Sequence, residues 1–537
     1  MAKKSIFFFF VFVVFFSFGI KAQNNEGAFS YAKNLEIYAN VLKALNISYI
    51  DSLDFSDLNK TAIDALLSKL DPYTVYIPQA DKDNYEFVRT GEYGGVGLGI
   101  VKNPHEYAYV SNLLSHQTAE KAGLQIGDKI LRIDGRDTRE MDMHEMGTII
   151  KGSPGQPFIL SVERIGDSTS TDYLLTRENI KVQNIAFSTI LYPTIAYIDL
   201  QSFTLNAAED LLYTFLELKK HNPQGLIIDL RANGGGLILE AVRALNVFLQ
   251  SDLEVVRTEG RQANSEYIYR TQRPPVDLAI PIVILVGDQT ASAAEIMAGA
   301  AQDYDRAVLM GQNTYGKGVV QNVIPLNYDA QLKITIARYL LPSGRKIQKE
   351  KPKDSLRVFK TLNGRAVHEG NGLTPDLIIR EKISDPRLSD QLERLFIFEF
   401  ANEYYANQEV KPNEYFEADD EVLEEYGRFL LKRNYIYISP VEKQIHDLRM
   451  QLQNETGQED LIALLKQAEE KERMLSNKPN PAFNQELKEF LRFEILSHRY
   501  YREGAAKLCL KDDPAIQKAI SVITDRSTYQ SLLRPSK

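Results

Sequence analysis

The feature that most constrains the fold is an alternation of short apolar runs with longer amphipathic segments between residues 185 and 350. The runs IAYIDL (195–200), GLIIDL (225–230) and PIVILVG (281–287) have the length and composition of buried strands. The segments between them, NAAEDLLYTFLELKKH and LILEAVRALNVFLQ, place apolar residues at helical spacing. Strands that alternate with helices of this length predict a layered α/β domain.

The chain on either side of this domain has a different pattern. Residues 27–70 show helical spacing and end at LDPYTVYIP (70–78), where two prolines and an aspartate favour a turn. Residues 90–166 consist of short alternating strands with glycine turns, which predicts a small, mainly β domain. After about residue 385 the chain is charged and helical in pattern. We therefore expect a multi-domain α/β protein.

Composition narrows the classes of function. The net charge of −9 gives no support for binding to nucleic acid or to an anionic membrane. Cys509 is the single cysteine, which excludes an internal disulfide framework and a cysteine-based zinc site. The seven histidines are scattered and form no HExxH pattern or other close pair. We therefore expect no metal ion and no cofactor.

The first 22 residues have the pattern of a secretory signal. Lys3 and Lys4 precede a fifteen-residue apolar run, IFFFFVFVVFFSFGI, which is short for a membrane span that needs about twenty residues. Cleavage is expected after Ala22, and an uncleaved N-terminal anchor is the alternative. In either case we expect the body of the protein to be exported to the periplasm or the cell envelope.

Two stretches of the small β domain resemble a PDZ domain. GGVGLGI (94–100) is followed by SHQTAEKAGLQIGDKILRIDGRDT (115–138), which has a short helix, glycine turns and a strand in the order of that domain. In PDZ domains a glycine-rich loop presents backbone N–H groups to a peptide's C-terminal carboxylate, and the peptide adds as a strand to the sheet edge. The resemblance assigns this loop and its first strand to Gly97, Leu98, Gly99 and Ile100.

A glycine-rich loop, DLRANGGG (229–236), lies directly between a predicted strand and a predicted helix. Unpaired backbone N–H groups at such a junction bind anions, either a phosphate or a developing oxyanion. The dinucleotide fingerprint GxGxxG is not met, because LILE follows the glycines. A purely structural turn stays open as an alternative.

A second glycine-rich segment, GQNTYGKG (311–318), matches the first seven positions of a phosphate-binding P-loop. Its eighth position is Gly318, so the Ser or Thr hydroxyl that would bind Mg²⁺ is missing. The following VVQNVIPL is β-branched and strand-like, whereas a P-loop leads into a helix. These two departures argue against a nucleotide site.

The stretch TASAAE (290–295) places Ser292 after an apolar strand and before a helix-like segment, with Thr290 as a possible helix cap. The N–H of Ala293 and one from the glycine loop could then form an oxyanion hole. No histidine lies within twenty residues of Ser292. Lys317, twenty-five residues downstream, could act as general base if burial lowers its pKa. Gln321 would lie on the same face of a strand and could orient the amine.

Taken together, these motifs resemble the carboxyl-terminal processing peptidases, also called tail-specific proteases. The resemblance extends over roughly residues 30–380. It implies a PDZ domain inserted before a crotonase-like α/β protease core, and a Ser/Lys pair that cleaves near protein C-termini. The motifs that carry it are LDPYTVYIP, the PDZ stretches, DLRANGGGL, TASAAEIMAGAAQDY, GQNTYGKGVVQ, YLLPSGRKIQ and GNGLTPDLII.

The resemblance also assigns roles to individual residues. Ser292 matches the nucleophile, Lys317 the general base, and Gln321 the residue that hydrogen-bonds the lysine. Gly236 and Ala293 match the oxyanion N–H donors, with Gly235 as the alternative to Gly236. The loop reads NGGG where many members have N-P-G-G, and both sequences keep the relevant glycine.

The residue patterns and the resemblance together give a domain plan: signal peptide 1–22, N-terminal helical region 23–89, PDZ domain 90–168, peptidase core 169–384 and C-terminal helical extension 385–537. None of the motifs quoted above falls in the extension. It could serve in dimerisation, in docking of an adaptor, or as a self-contained helical cap.

The predicted function is that of an exported serine endopeptidase that captures proteins with apolar C-termini through its PDZ domain. A non-catalytic PDZ scaffold with a relic protease core is the alternative, but the Ser, Lys and Gln at matching positions count against it. An enzyme acting on CoA thioesters would share the oxyanion geometry, but a secretory signal disfavours it.

Overall fold

The computed structural model describes residues 25–78, 91–167, 169–262, 265–348, 357–379, 385–453, 458–478 and 480–535. The predicted signal peptide lies outside the described residues, as does the start of the predicted PDZ domain at residue 90. The chain separates into two compact units, residues 1–76 and residues 77–537.

The first unit contains the two helices expected from the N-terminal pattern. These are α1 (Asn25–Ser48) and α2 (Phe55–Leu67). Asp54 begins α2, and its carboxylate accepts hydrogen bonds from the N–H groups of Ser56 and Asp57 at 2.8 and 3.3 Å. The short strand β1 (Val75–Ile77) follows the proline turn.

The first domain of the second unit is an antiparallel sheet with two short helices, as expected for a PDZ domain. The sheet continues past residue 168, the predicted end of this domain, because the strand at residues 171–176 pairs with the strand at residues 157–163. Its main sheet has the strand order β3-β4-β5-β7-β8, with β6 beside β5, and the strands β2 and β9 pair separately. The apolar side chains of alternate strand positions, such as Val110, Ile130 and Leu160, form one buried cluster. The elements are β2 (Glu92–Gly95), β3 (Leu98–Val101), β4 (Ala108–Leu113), α3 (Thr118–Lys121), β5 (Lys129–Ile133), β6 (Arg136–Asp137), α4 (Met143–Ile150), β7 (Pro157–Glu163), β8 (Thr171–Thr176) and β9 (Glu178–Lys181).

The second domain is the expected α/β core, built on a six-stranded sheet of order β10-β11-β12-β15-β16-β21. The strands from β11 to β21 are parallel, and β10 is antiparallel to β11. Both central strands, β12 and β15, are buried at every position, which is typical of a parallel sheet covered on two faces. The sheet comprises β10 (Ile185–Leu191), β11 (Ile195–Leu200), β12 (Gly225–Asp229), β15 (Ile282–Val286), β16 (Val308–Gly311) and β21 (Leu377–Ile378).

Three helices, α5 to α7, cover one face of this sheet, and α7 is buried along its whole length. The segment LILEAVRALNVFLQ is helical only to Leu245. The chain then turns, and the Asn246 side chain accepts hydrogen bonds from the N–H groups of Gln272 and Arg273. The helices are α5 (Ala207–Lys219), α6 (Ile238–Leu245) and α7 (Ala293–Asp303).

A second, smaller antiparallel sheet in this domain contains β17, β18, β13 and β14 in that order. A hairpin of β19 and β20 lies before β21 in the chain. These strands are β13 (Glu254–Gly260), β14 (Tyr267–Arg270), β17 (Val319–Pro325), β18 (Gln331–Leu340), β19 (Val358–Lys360) and β20 (Ala366–His368).

The helices after residue 385 pack in two different places. Four of them, α8, α9, α10 and α13, bury apolar side chains in a hydrophobic cluster of their own. Phe398 of α9 is buried instead in the PDZ core, where it contacts Tyr109 edge to face. The last two helices, α14 and α15, cover the second face of the six-stranded sheet. The helices are α8 (Pro386–Glu393), α9 (Phe396–Asn407), α10 (Asp420–Lys432), α11 (Pro440–Leu452), α12 (Glu459–Ser476), α13 (Pro481–Cys509), α14 (Pro514–Thr524) and α15 (Arg526–Leu532).

Among the residues the structure describes, no helix combines the length and the apolar character that crossing a bilayer requires.

Candidate active site

Ser292 occupies a tight turn between a strand and a helix. β15 ends at Val286, α7 begins at Ala293, and Ser292 has φ 56° and ψ −118°. L-residues other than glycine rarely adopt this conformation, so the surrounding structure must hold it, and such strain is concentrated at functional sites. The turn leaves the Ser292 side chain half-buried at the start of α7.

Glu295, one helical turn after Ser292, connects the serine turn to the glycine-rich segment that contains Lys317. Its Oε2 accepts hydrogen bonds from the N–H groups of Ser292 and Lys317, each at 2.9 Å. Its Oε1 accepts from the Thr314 hydroxyl at 2.5 Å and from the Gly316 N–H at 2.8 Å. One carboxylate therefore fixes the backbone of both segments.

The four donors also indicate the protonation state of this carboxylate. Glu295 is fully buried, and burial raises the pKa of its carboxyl, while the hydrogen bonds from Thr314, Lys317, Gly316 and Ser292 oppose that rise. An ionised carboxylate accepts hydrogen bonds at all of its lone-pair sites, whereas a protonated one must donate at one of them. Because every one of these partners donates, the arrangement fits the ionised form.

Lys317 has an environment that suits a general base. Its backbone is fixed at both ends, because its N–H donates to Glu295 and its carbonyl accepts from the Tyr339 hydroxyl. Burial and, to a smaller extent, the nearby ammonium of Lys333 together lower the pKa of Lys317 to about 8, although Glu295 opposes the shift. With a pKa near 8, the Lys317 amine is neutral in roughly a tenth of the molecules at pH 7, a far larger fraction than for an ordinary lysine.

Gln321 does not have the position relative to Lys317 that the sequence predicts. Lys317 precedes β17, which begins at Val319, and the pairing of β17 with β18 shifts in register between Val320 and Gln321. The expectation that Lys317 and Gln321 share one strand face is therefore wrong. The Gln321 amide donates to the Val319 carbonyl and to the Thr335 hydroxyl, both at 3.5 Å.

The glycine loop after β12 lies against the serine turn. A Cβ added to Gly235 would lie 2.8 Å from the Ser292 Cβ and 3.0 Å from the Ala293 nitrogen. The Gly235 N–H already donates to the Asn233 Oδ1 at 2.8 Å, which favours the next amide, Gly236, as an oxyanion donor. Ala293 is the first residue of α7, so its N–H has no carbonyl partner within the helix.

Thr290 does not cap α7, contrary to the expectation from sequence. Its hydroxyl donates to the Leu230 carbonyl at 2.7 Å and accepts from the Gly287 N–H at 2.9 Å. It therefore ties the segment before Ser292 to the end of β12. The N-cap position belongs to Ser292 itself.

The predicted peptide-binding residues Gly97 to Ile100 lie at the edge of the PDZ sheet. Among the described residues, β3 is the terminal strand of this sheet and pairs with β4. Leu98, Gly99 and Ile100 are half-buried. Met146 and Ile150 of α4 belong to the core cluster that Leu98 and Ile100 pack against.

Sequence reasoning missed Glu295, Asn233 and Tyr339. Glu295 carried a signal, because Ser292-Ala-Ala-Glu295 is the S-x-x-E pattern that begins many helices. Asn233 lies inside the predicted loop but has no distinguishing pattern. Tyr339 lies on another strand and could be found only from the fold. Among the described residues, no group of histidine, cysteine, aspartate and glutamate is arranged to hold a metal ion.

Comparison with known proteins places these features in a family. Peptidase family S41 matches residues 194–379, a PDZ domain matches residues 109–164, and the C-terminal helical domain of probable PDZ-proteases matches residues 389–523. A carboxyl-terminal-processing protease of Synechocystis is 33% identical over 294 residues, which cover 54% of this chain and 68% of the relative. The chain belongs to the carboxyl-terminal processing proteases.

Two further proteases of the same kind are similar. A carboxy-terminal-processing protease of Bartonella bacilliformis is 29% identical over 357 residues, covering 66% of this chain and 76% of the relative. The solved photosystem II D1 C-terminal processing protease is 25% identical, covers 66% of this chain and 88% of its own, and superposes with a TM-score of 0.39. The family-model matches and the curated relatives make the protein a serine peptidase with a PDZ domain. The roles of Ser292, Lys317, Gln321, Gly236 and Ala293 stay predictions.

Proposed function

We propose that this processing protease cleaves by an acyl-enzyme mechanism in which Ser292 is the nucleophile and Lys317 the general base. The observation that carries the proposal is the shared carboxylate of Glu295, which hydrogen-bonds the backbone N–H groups of both residues at 2.9 Å. Segments separated by twenty-five positions in sequence are thereby held in one site. The lowered pKa of Lys317 supplies the neutral amine that the reaction requires.

The chemical steps follow from these roles. Neutral Lys317 takes the proton of the Ser292 hydroxyl as the serine oxygen attacks the substrate carbonyl carbon. The N–H groups of Gly236 and Ala293 stabilise the resulting oxyanion, and losing one such donor typically costs about 2.7–4 kcal/mol. Lys317 then protonates the leaving amine, and the C–N bond breaks. Water hydrolyses the Ser292 ester and regenerates the enzyme.

In this proposal the PDZ domain captures the substrate. The N–H groups of the loop Gly97–Gly99 bind the C-terminal carboxylate, and the peptide pairs with β3, which ends the sheet within the described part of the chain. An apolar last side chain would contact Leu98. Substrates are thus proteins with apolar C-termini.

Export to the periplasm or cell envelope is also part of the proposal. The support is the lysine-flanked apolar run at residues 6–20 and the small residue at position 22. Cell fractionation and N-terminal sequencing of the mature protein test it. We expect a mature chain that begins at Gln23, and an uncleaved chain in the membrane fraction would support the anchor alternative. A homodimer or a bound adaptor stays a proposal, to be tested by sedimentation of the purified protein.

Cleavage of a protein with a disordered apolar C-terminal tail, followed by mass spectrometry of the fragments, tests the mechanism. Ser292→Ala and Lys317→Ala should each lose at least about a thousandfold in kcat and still bind a C-terminal peptide. The exposed residues Ser251 and Lys220 provide the matched controls Ser251→Ala and Lys220→Ala. Near-normal cleavage by Lys317→Ala would refute the assignment of the base. Cleavage by the native chain that Ser292→Ala removes would also exclude the scaffold alternative.

A further inference from the structure

One arginine connects the oxyanion loop to the C-terminal helices. Arg231, two residues after β12, binds the Asp229 carboxylate through Nε at 3.0 and 3.1 Å and through Nη2 at 2.7 Å. The same Nη2 lies 2.7 Å from the Oδ2 of Asp513. Asp513 is the N-cap residue of α14, near the end of the chain. The guanidinium therefore bridges the peptidase core and the C-terminal extension.

Both carboxylates in this bridge are fixed by further hydrogen bonds. Asp229 accepts from the Tyr197 hydroxyl at 2.9 Å and from the Arg231 N–H at 3.0 Å. Asp513 accepts from the N–H groups of Ala515 and Ile516 at 2.8 and 3.2 Å with its other oxygen, Oδ1. The side chains of Asp229, Arg231 and Asp513 are 6%, 32% and 23% exposed, so water screens the bridge only partly.

The helix that carries Asp513 is itself held firmly. Ile516, Ala519 and Val522 of α14 are buried against the sheet in a cluster with Ile227 and Leu285. The hydroxyl of Tyr529, in α15, accepts a hydrogen bond from the Ile282 N–H at 2.9 Å. Asp513 is therefore a fixed point from which Arg231 can be oriented.

From Arg231 the chain reaches the oxyanion loop within five residues. Asn233 is completely buried, and its amide donates to the Leu200 carbonyl at 2.8 Å while its Oδ1 accepts from the Gly235 N–H at 2.8 Å. The Asn233 carbonyl accepts from the Ala291 N–H at 3.0 Å, next to Ser292. A displacement of Arg231 would therefore reach both the glycine loop and the serine turn.

We propose that Asp513 is a positioning residue for catalysis: through Arg231 it holds the loop of residues 233–236 in the geometry that stabilises the oxyanion. The inference rests on the proposed oxyanion role of that loop. It makes the last helices part of the catalytic unit and not a separate appendage. In this proposal the last helices fix the position of an oxyanion N–H donor. Such a donor stabilises the transition state only if it is already in place when the negative charge develops.

Asp513→Asn tests the proposal, because asparagine caps a helix as well as aspartate but carries no charge for Arg231. Asp525→Asn is the matched control: Asp525 caps α15 through the N–H groups of Ser527 and Thr528 at 3.0 and 3.2 Å. We expect Asp513→Asn to lower kcat about tenfold at unchanged KM, and to weaken inhibition by a peptide aldehyde, which forms a tetrahedral oxyanion, by a similar factor. Asp525→Asn should change neither quantity.

A purely structural role would lower the melting temperature without this selective loss. Equal kcat and equal aldehyde inhibition in Asp513→Asn and Asp525→Asn would overturn the inference. If Asp513→Asn does not fold, Arg231→Lys replaces it, because lysine keeps the charge but cannot bridge two carboxylates as the planar guanidinium does. The same tenfold loss is expected, and normal activity would contradict the proposal. An active Ser292→Ala would instead refute the proposed function as a whole.

Discussion

Two glycine loops of this protein are assigned the same elementary task, and they differ in their surroundings. The loop at residues 97–99 would bind a substrate carboxylate, and the loop at residues 233–236 would bind an oxyanion. Both are held by backbone hydrogen bonds: in the first, the Gly97 and Val96 carbonyls accept from the Leu114 and Ala119 N–H groups at 2.8 and 2.9 Å. The second is braced on several sides: Asn233 holds the Gly235 N–H, and the Phe203 N–H donates to the Gly235 carbonyl at 2.9 Å. The first leads directly into β3, an edge strand.

The difference follows from what each loop must do. A peptide that adds as a strand needs an open edge, because its own backbone supplies the missing hydrogen bonds. A transition state exists only briefly, so its donors have to be in place beforehand. Changes at the braced loop should therefore affect kcat, whereas changes at the edge strand should affect KM.

The largest effect should come from the carboxylate that braces the catalytic segments. Glu295→Gln keeps the size of the side chain but places an N–H₂ group where an oxygen now accepts hydrogen bonds. At least one donor in the buried site then loses its acceptor, which costs about 1–3 kcal/mol of folding free energy. We expect kcat to fall about a thousandfold, together with a lower melting temperature. Peptide hydrolysis and thermal unfolding measure both quantities.

Glu442→Gln is the control for this change. Glu442 has a side chain that is 1% exposed and binds Arg473, in the hairpin of α11 and α12. This variant should lose stability but keep its kcat. If the two glutamine variants lost activity in the same proportion to stability, Glu295 would be merely a structural residue.

Gly235→Ala should distort the braced loop and lower kcat, by less than Glu295→Gln does. The glycine has φ +101°, and a Cβ there would lie 2.7 Å from the Ala291 carbonyl oxygen and 2.8 Å from the Ser292 Cβ. We expect kcat to fall at least about a hundredfold while peptide binding persists, as measured by hydrolysis and by peptide fluorescence anisotropy. Gly427→Ala, at a helical site with open space around the glycine, should be silent. Loss of peptide binding in Gly235→Ala would show that the two loops are not independent.

The pH dependence of kcat/KM tests the assignment of Lys317 as the general base. Lys317 must be neutral to accept a proton, so kcat/KM should rise with pH through an inflection near 8. Lys333→Met removes a positive charge that disfavours the ammonium form of Lys317. The pKa of Lys317 should then rise and the inflection should move to higher pH, by an amount read from pH–rate profiles of the two proteins. A profile that shifts to lower pH would contradict this electrostatic account.

The smallest effect should come from the PDZ edge. Leu98→Ala removes apolar contact with the last substrate side chain and should raise KM about tenfold at unchanged kcat, on a substrate with an apolar C-terminus. Leu174→Ala, at a 70% exposed site on β8, is the control. Amidation of the substrate C-terminus should raise the native KM similarly. A change in kcat alone would argue against capture by this edge.

Much of this site could be predicted because its determinants are local in sequence. The strand–helix alternation predicted the sheet, and the position of Ser292 at the start of a helix followed from one apolar run and one alanine-rich segment. The strand after Lys317 was predicted correctly from its β-branched residues, which removed the P-loop interpretation.

The remainder depends on contacts between distant segments. The amphipathic pattern of α14 shows that one face is buried but not which surface it covers, so its place on the six-stranded sheet could not be predicted. Thr290 is a good helix cap by residue type, yet the nearby Leu230 carbonyl provides a tertiary partner. The register shift between Val320 and Gln321 depends on the pairing with β18, which no local sequence pattern indicates.

Covalent labelling tests the central claim most directly. The protein is treated with a serine-directed organophosphonate at pH 7 and pH 9, and the adduct is located by peptide mass spectrometry in the native chain and in Lys317→Ala. The account predicts a single adduct on Ser292, formed faster at pH 9, with labelling at least about a hundredfold slower in Lys317→Ala. An adduct on another serine, or equal labelling of Ser292 without Lys317, would contradict it.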